Sequence, residues 1–315
     1  MTVSTKNASS ASPVFTLTAR LDHALTQWAF RRAASDAGAA ARHASLRFID
    51  TDAGRIRVVD SSTPGPVIIF VPDGPNVVEH YQVLMDSLCA RYRVVCFDMP
   101  GFGFSLPANS YAHSLDQGAK TVLQVLDALQ IPSTTLAFSC ANGFYALRVA
   151  SLAPDRVAGL VLSQTPSLQA MHAWTDRVVP RPLRRPLLGQ ALGWLARRKA
   201  AAGWYRIALP VTTDGAPFHR VAQRALQCGA CFSLAGVVQG LLSASDAGLK
   251  NQHTPCTVIW GAQDRSHRYT QPNSLLSLVP HADFVQFDDC GHFPDLEQPQ
   301  RYAQLLTQAI ETHGP

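Results

Sequence analysis

Leu136-Ala137-Phe138-Ser139-Cys140-Ala141-Asn142-Gly143 is a β-prone run that breaks at once into a helix-forming one. Farther along the chain come Trp260-Gly261-Ala262-Gln263-Asp264 and then Asp289-Cys290-Gly291-His292-Phe293. Their order has chemical meaning: a hydroxyl or thiol on a sharp turn, then an acid, then a histidine. A Ser or Cys side chain is a weak nucleophile at its free pKa. It needs a base within hydrogen-bond reach, and the base needs a carboxylate to orient it. At the turn, Ser139 and Cys140 compete for the role of nucleophile.

Outward from this turn, the pattern fixes the architecture. Val67-Ile-Ile-Phe-Val71 lies between Pro66 and Pro72 and reads as a strand buried on both faces. Strand-like Arg93 to Phe97, Thr134 to Phe138 and Val157 to Ser163 alternate with helix-like Val83 to Ala90, Ala119 to Leu129 and Gly143 to Leu152. Such alternation predicts a mostly parallel sheet with helices on both faces. Upstream, Ser45 to Asp50 and Arg55 to Asp60 flank Thr51-Asp-Ala-Gly54 as a hairpin. From Thr165 to about Asn251 the alternation gives way to helical sequence, then resumes at Cys256 to Trp260 and Phe284 to Phe287. An insertion there is expected to sit over the carboxyl ends of the strands, as a helical lid. The organisation read from the chain is therefore a tail and helix over 1–44, an α/β core over 45–164, a lid over 165–251 and the rest of the core over 252–315. In the first segment, Leu17, Leu21, Leu25 and Trp28 recur at helical spacing and predict an amphipathic helix that packs on the domain or on a partner.

Composition excludes several classes. The 315 residues carry a net charge of +5, mildly basic and without zinc-finger or RNP-like spacing, so nucleic acid is not an expected partner. No apolar run approaches the roughly 18 residues that span a bilayer. Met1 to Pro13 has no apolar h-region, so no secretory signal is expected and a cytoplasmic setting is. Seven irregularly spaced cysteines suit reduced thiols better than a disulfide framework. Cys228-Gly-Ala-Cys231 has C-x-x-C spacing but no second ligand pair beside it, so neither a metal nor another cofactor is expected.

Four segments in this order resemble the α/β-hydrolase superfamily over roughly residues 45 to 312: Asp98-Met-Pro-Gly-Phe-Gly-Phe-Ser105, the turn at 136–143, Gly261-Ala-Gln-Asp264, and Gly291-His292-Phe-Pro-Asp-Leu-Glu-Gln-Pro299. The resemblance implies a nucleophile elbow, with His292 as base and Asp264 as its orienting acid. It reads the elbow in two ways. Small flanking residues, Ala137 and Ala141, favour Ser139. The wider register, with Gly143, Ala146, Ala150 and Pro154-Asp-Arg-Val157 in step, favours Cys140. A helix N-terminus is expected to lower the pKa of a thiol at that place. The resemblance further implies an oxyanion hole from the backbone N–H groups of Ala141 and Gly74. It departs from the family where Pro72-Asp73-Gly74-Pro75 replaces His-Gly-x-Pro. Asp73 is then a turn-former facing away, a substrate contact or a second acid/base group.

The leading expectation is an esterase, thioesterase or acyltransferase that attacks an ester, thioester or lactone carbonyl through a Cys140 acyl-enzyme, by a Cys140–Asp264–His292 triad. Lyase-type chemistry with His292 as general base is the second, and a non-catalytic ligand-binding protein the third. From residue 170 to 210 eight cations (Arg177, Arg181, Arg184, Arg185, Arg197, Arg198, Lys199, Arg206) face a single acid, Asp176. That run predicts either a solvated helical face or docking of an acidic group, such as a carrier protein, a CoA phosphate or an anionic lipid surface.

Overall fold

The computed structural model describes residues 13–32, 45–227, 233–251 and 253–313. Among the described residues, nine strands form one sheet: β1 (Leu46–Thr51), β2 (Gly54–Asp60), β3 (Val67–Val71), β4 (Arg93–Phe97), β5 (Leu106–Pro107), β6 (Thr134–Ser139), β7 (Val157–Ser163), β8 (Cys256–Gly261) and β9 (Asp283–Phe287). Their order is β1-β2-β4-β3-β6-β7-β8-β9, with the short β5 paired to β2. The β1–β2 hairpin and the β2–β4 pair are antiparallel, and every pair from β4 through β9 is parallel. The central strands β3, β6 and β8 are almost wholly buried; β3 is a continuous apolar run, while β6 and β8 mix apolar residues with buried Thr134, Thr135, Ser139 and Thr257. Helices Gln82–Leu88 and Pro299–His313 cover one face, and Leu115–Ala128 and Ala141–Leu152 the other, each over its own apolar cluster.

Between β7 and β8 run the helices Leu168–Val178, Leu188–Ala208, Ala216–Gln227 and Leu234–Leu242. Side-chain bonds tie this insertion to the core loop after β3. Tyr205 donates its O–H to Asn76 Oδ1 at 2.9 Å, and the His80 ring nitrogen Nε2 lies 3.0 Å from the Phe218 carbonyl. The loop carrying Asp98-Met-Pro-Gly-Phe-Gly-Phe-Ser105 is organised by charge. Buried Arg57 pairs with Asp98 and Glu79, and Asp98 accepts from the N–H groups of Val78 and Phe104.

The first helix, Pro13–Arg32, departs from expectation. Its buried face is Thr18, Ala19, Asp22, Thr26 and Ala29, whereas Leu17 and Trp28 of the apolar stripe are 50% and 45% exposed. Small and polar residues let the helix approach β5 and the insertion closely, and Asp22 comes to 4.0 Å from His113. Of the tail expected over residues 1 to about 14, Pro13 and Val14 already belong to the helix, and the rest, like the Cys228–Cys231 pair, lies outside the described residues. The five described cysteines, Cys89, Cys96, Cys140, Cys256 and Cys290, are free thiols. Among the described residues no helix is long and apolar enough to cross a membrane.

Candidate active site

β6 ends at Ser139 and the helix Ala141–Leu152 starts two residues on, so Cys140 alone makes the turn. Its backbone sits at φ +52°, ψ −123°, a region that costs a side-chain-bearing residue roughly 1–3 kcal/mol. The strain falls on Cys140 and not on Ser139. Ser139 remains in the strand and turns its hydroxyl to Asp295 Oδ2 at 3.3 Å, where the Tyr81 hydroxyl also donates at 2.6 Å. The bulkier flanks that this register brings are accommodated. Phe138 is buried in the core, and the Asn142 amide donates to the Pro72 carbonyl at 3.1 Å. Gly143 is required by close approach: a Cβ there would collide with Thr165, whose hydroxyl donates to the Cys140 carbonyl at 3.0 Å.

His292 follows β9 by a short turn and is fully buried. Its backbone N–H donates to the Ala208 carbonyl of the insertion at 2.8 Å. Its ring lies between two carboxylates, with Nδ1 at 2.5 Å from Asp264 Oδ2 and Nε2 at 3.2 Å from Asp73 Oδ2. Asp264 stands at the end of β8 and accepts three further bonds. Ser266 gives two, from N–H at 2.8 Å and hydroxyl at 2.6 Å, and the Gln164 amide gives one at 2.8 Å. Burial opposes its ionisation, but the charge and hydrogen bond of His292 prevail and hold it at about 2. Burial likewise opposes protonation of His292, and Asp264 foremost, then Cys140 and Asp73, outweighs it and raises the imidazolium well above the usual range.

Asp73 does not face away as a turn-former. It points inward, and burial raises its carboxyl despite the hydrogen bond and charge of His292. The Cys140 sulfur, an Asp73 oxygen and a His292 nitrogen all lie within 4.8 Å of one another. Burial, with Asp73 adding to it, pushes the Cys140 thiol up to about 11. The shift runs opposite to the lowering expected from the helix N-terminus: removal from water and the neighbouring carboxylate together outweigh His292 and the Ala141 N–H, which favour a thiolate.

Sequence reasoning missed three participants. Gln164, just past β7 at φ +48°, bridges Asp264 and the Gly261 N–H, which reaches its side-chain oxygen at 2.7 Å. His267 stacks on His292 with centroids 5.4 Å apart and on Trp174 at 5.0 Å, and burial holds its ring neutral down to about 3. Trp204 meets the His292 ring edge-on at 5.0 Å. In the sequence His267 stands in the run just after Asp264 and Trp204 among the apolar residues interleaved with the basic run, but neither position points to His292. Among the described residues, ligand-capable atoms also cluster in two sets, Asp73–Cys140–His292 and Asp264–His267–His292. Both depend on His292, whose nitrogens already engage the two carboxylates.

Ala141 begins the elbow helix, and Gly74, seated on the Phe102 ring, follows Asp73 in the loop that Asn142 tethers. Cys140, Asp73, Asp264 and His292 are all buried, and Trp204, packed edge to face with Trp174, lies against the His292 ring. A cavity of about 460 Å³, lined by Tyr205, Arg206, Asp214, His219 and Arg265 among others, touches none of these four residues. In the basic run, Arg184 pairs with Asp176 and Arg197 donates to the Leu226 carbonyl, while Arg181, Arg185, Arg198, Lys199 and Arg206 are exposed.

The model of the alpha/beta hydrolase family matches residues 68–305, so the chain belongs to that family. It is similar to haloalkane dehalogenase 2 of Mycobacterium tuberculosis, 27% identical over 277 residues that cover 83% of this chain and 93% of the relative. It is also similar to the 2-hydroxymuconate semialdehyde hydrolase of Pseudomonas sp. strain CF600, 25% identical over 272 residues, with 80% and 89% covered. Among solved structures, an epoxide hydrolase from Vigna radiata superposes with a TM-score of 0.69 at 15% identity, covering 85% of this chain and 98% of that one. At that identity the likeness shows the fold alone.

Proposed function

We propose that this α/β hydrolase attacks an ester, thioester or lactone carbonyl through an acyl-enzyme on Cys140. One observation carries the reading: the single strained turn between β6 and its helix holds a thiol beside a His292–Asp264 pair. Strain of that kind persists where surrounding contacts over-determine it, and it exposes a nucleophile to both its base and the first N–H of the helix. In this reading His292 receives the thiol proton, and Asp264 keeps the imidazole oriented and stabilises its cation. The Ala141 and Gly74 N–H groups face the developing oxyanion. The leaving group takes a proton from His292, and water or another acceptor then resolves the thioester. Thioesters react readily with amines and thiols, so acyl transfer or cyclisation stands beside hydrolysis. The insertion acts as a lid that must move for the substrate to enter. Its exposed arginines suit an acyl donor with an anionic handle, such as a carrier protein or a CoA phosphate.

A second reading is favoured by the protonated thiol: His292 serves as general base without an acyl-enzyme, in lyase-type chemistry. A β-lactone probe mapped by peptide mass spectrometry separates the two, because it acylates either Ser or Cys. An adduct on Cys140 that His292→Ala abolishes is the expected result. An adduct on Ser139 would overturn the assignment of the nucleophile, and none at either residue would favour the second reading.

A further inference from the structure

The loop that should help bind an oxyanion carries a carboxyl group at its centre. Asp73 is buried and fixed from several sides. Its carbonyl accepts from Asn76 N–H at 2.8 Å, and the preceding Pro72 carbonyl accepts from Asn142. The Tyr205 hydroxyl holds Asn76 from the insertion. The ionisable groups facing Asp73 are His292 and Cys140 in contact range, with Asp264 and Asp295 farther off. Asp264 already matches the charge of the imidazolium. Asp73, ionised at rest, is therefore poorly compensated and disposed to take up a proton, and left as a carboxylate beside an alkoxide it would be repulsive. A carboxylic acid in the same place is a donor, and an apolar enclosure can keep such a group neutral for that use.

Resting on the acyl-enzyme reading, we propose that Asp73 works as a carboxylic acid that donates a hydrogen bond to the substrate oxygen as the tetrahedral oxyanion forms. The proton comes from Cys140. As the sulfur attacks, its proton passes to His292 Nε2, and the proton on Nε2 passes to Asp73 Oδ2. The S–C bond forms, the carbonyl π pair moves to oxygen, and the Asp73 O–H donates to that oxygen. On collapse the C=O reforms and the bond to the leaving group breaks. The leaving group takes a proton from His292, and Asp73 returns one to His292. The thiol proton thus departs with the leaving group, and the site is reset apart from the thioester. Burial and the Asp264 charge raise the Asp73 carboxyl in the direction this needs.

The test is the rate of β-lactone acylation of Cys140, read by intact mass across about pH 5 to 10 for wild type, Asp73→Asn and Asp73→Ala. The asparagine amide donates but cannot ionise. The amide cannot take the Nε2 proton, so Asp73→Asn should be slow while His292 is protonated and climb on the alkaline side toward the wild-type rate once His292 has lost that proton, whereas Asp73→Ala should stay about 10²–10³ slower than wild type throughout, the worth of one oxyanion donor. Acylation of Asp73→Ala at the wild-type rate would overturn the proposal. So would an Asp73→Asn enzyme as slow as Asp73→Ala with the wild-type pH profile. If Asp73→Ala does not fold, the alkaline limb of Asp73→Asn against wild type decides alone. A wild-type enzyme not acylated at Cys140 would refute the acyl-enzyme reading itself, whereas acylation indifferent to Asp73 would refute only its role as donor.

Discussion

Gln164→Leu should unfold this protein more readily and slow acylation of Cys140, although the residue is no member of the proposed Cys140–Asp264–His292 triad. Its side chain is fully buried and makes two bonds, giving 2.8 Å to Asp264 Oδ2 and receiving 2.7 Å from the Gly261 N–H. Leucine fills similar volume and makes neither. The orphaned N–H costs about 1–3 kcal/mol, and the bond to a charged carboxylate is worth about 1.5–3 kcal/mol. The sum centres on about 4 kcal/mol, which at roughly 2 °C per kcal/mol for a chain of this size lowers Tm by about 8 °C. With a donor gone, Asp264 also holds His292 less firmly, so acylation of Cys140 should slow. Gln164→Glu restores an acceptor for Gly261 but sets a carboxyl against Asp264, and it should raise the pKa of the pair instead. Differential scanning calorimetry with the probe assay reads both effects. A Tm within about 2 °C of wild type for Gln164→Leu would refute the bridge.

Gly103→Ala combines a left-handed φ of +51° with a Cβ that would strike the Asp98 carboxylate, so it should break the buried Arg57 pair and cost about 3 kcal/mol or more in urea unfolding. Trp204→Ala removes the edge that covers His292; alkylation of Cys140 should accelerate, with a loss of about 2–3 kcal/mol in stability. Burial holds His113 and His267 neutral down to about 3, whereas the unfolded chain protonates both near about 6.5. Each therefore contributes stability that is complete above that unfolded value and is lost as pH falls toward the folded one. Tm should decline through that acid window, and His267→Phe, which keeps the stack, should flatten the decline.

The fold was legible because its central strands are buried on both faces and so appear as short runs rich in apolar and β-prone residues between turn residues. Val67–Val71 and Val157–Ser163 are strands over the spans that pattern predicts, and Thr134 to Phe138 gains only Ser139. The parallel sheet followed from alternation alone. The first helix was legible as a helix but not in its orientation. Periodicity counts leucines, while packing rewarded the small and polar face that lets Asp22 reach His113. At the site, residues adjacent in sequence to a motif could be named, and His292 and Asp264 do come together. Gln164, Trp204 and the inward turn of Asp73 could not, because each meets His292 or Asp264 only through tertiary contact. The direction of the thiol pKa was misjudged for the same reason: a helix N-terminus is visible in a sequence, but the depth of burial above it is not.

Charge at the site bears on when Cys140 can react. Two carboxylates, one imidazole and one thiol are enclosed together, and one imidazolium can match only one carboxylate. If the second is ionised, the thiol must keep its proton, and the resting site holds no thiolate. A thiol near about 11 is ionised to roughly one part in a thousand at pH 8, against about a quarter for a free cysteine. Iodoacetamide, which needs a thiolate already formed, should therefore label Cys140 about two orders of magnitude more slowly than free cysteine at that pH. A β-lactone is different, since its carbonyl oxygen can accept the hydrogen bond that draws the proton toward Asp73, and it should label the same residue readily. The ratio of the two rates, compared with the ratio on free cysteine, measures how far reactivity is generated by the substrate itself. Equal ratios, with rapid iodoacetamide labelling, would mean that Cys140 rests as a thiolate and that Asp73 is already protonated before any substrate arrives.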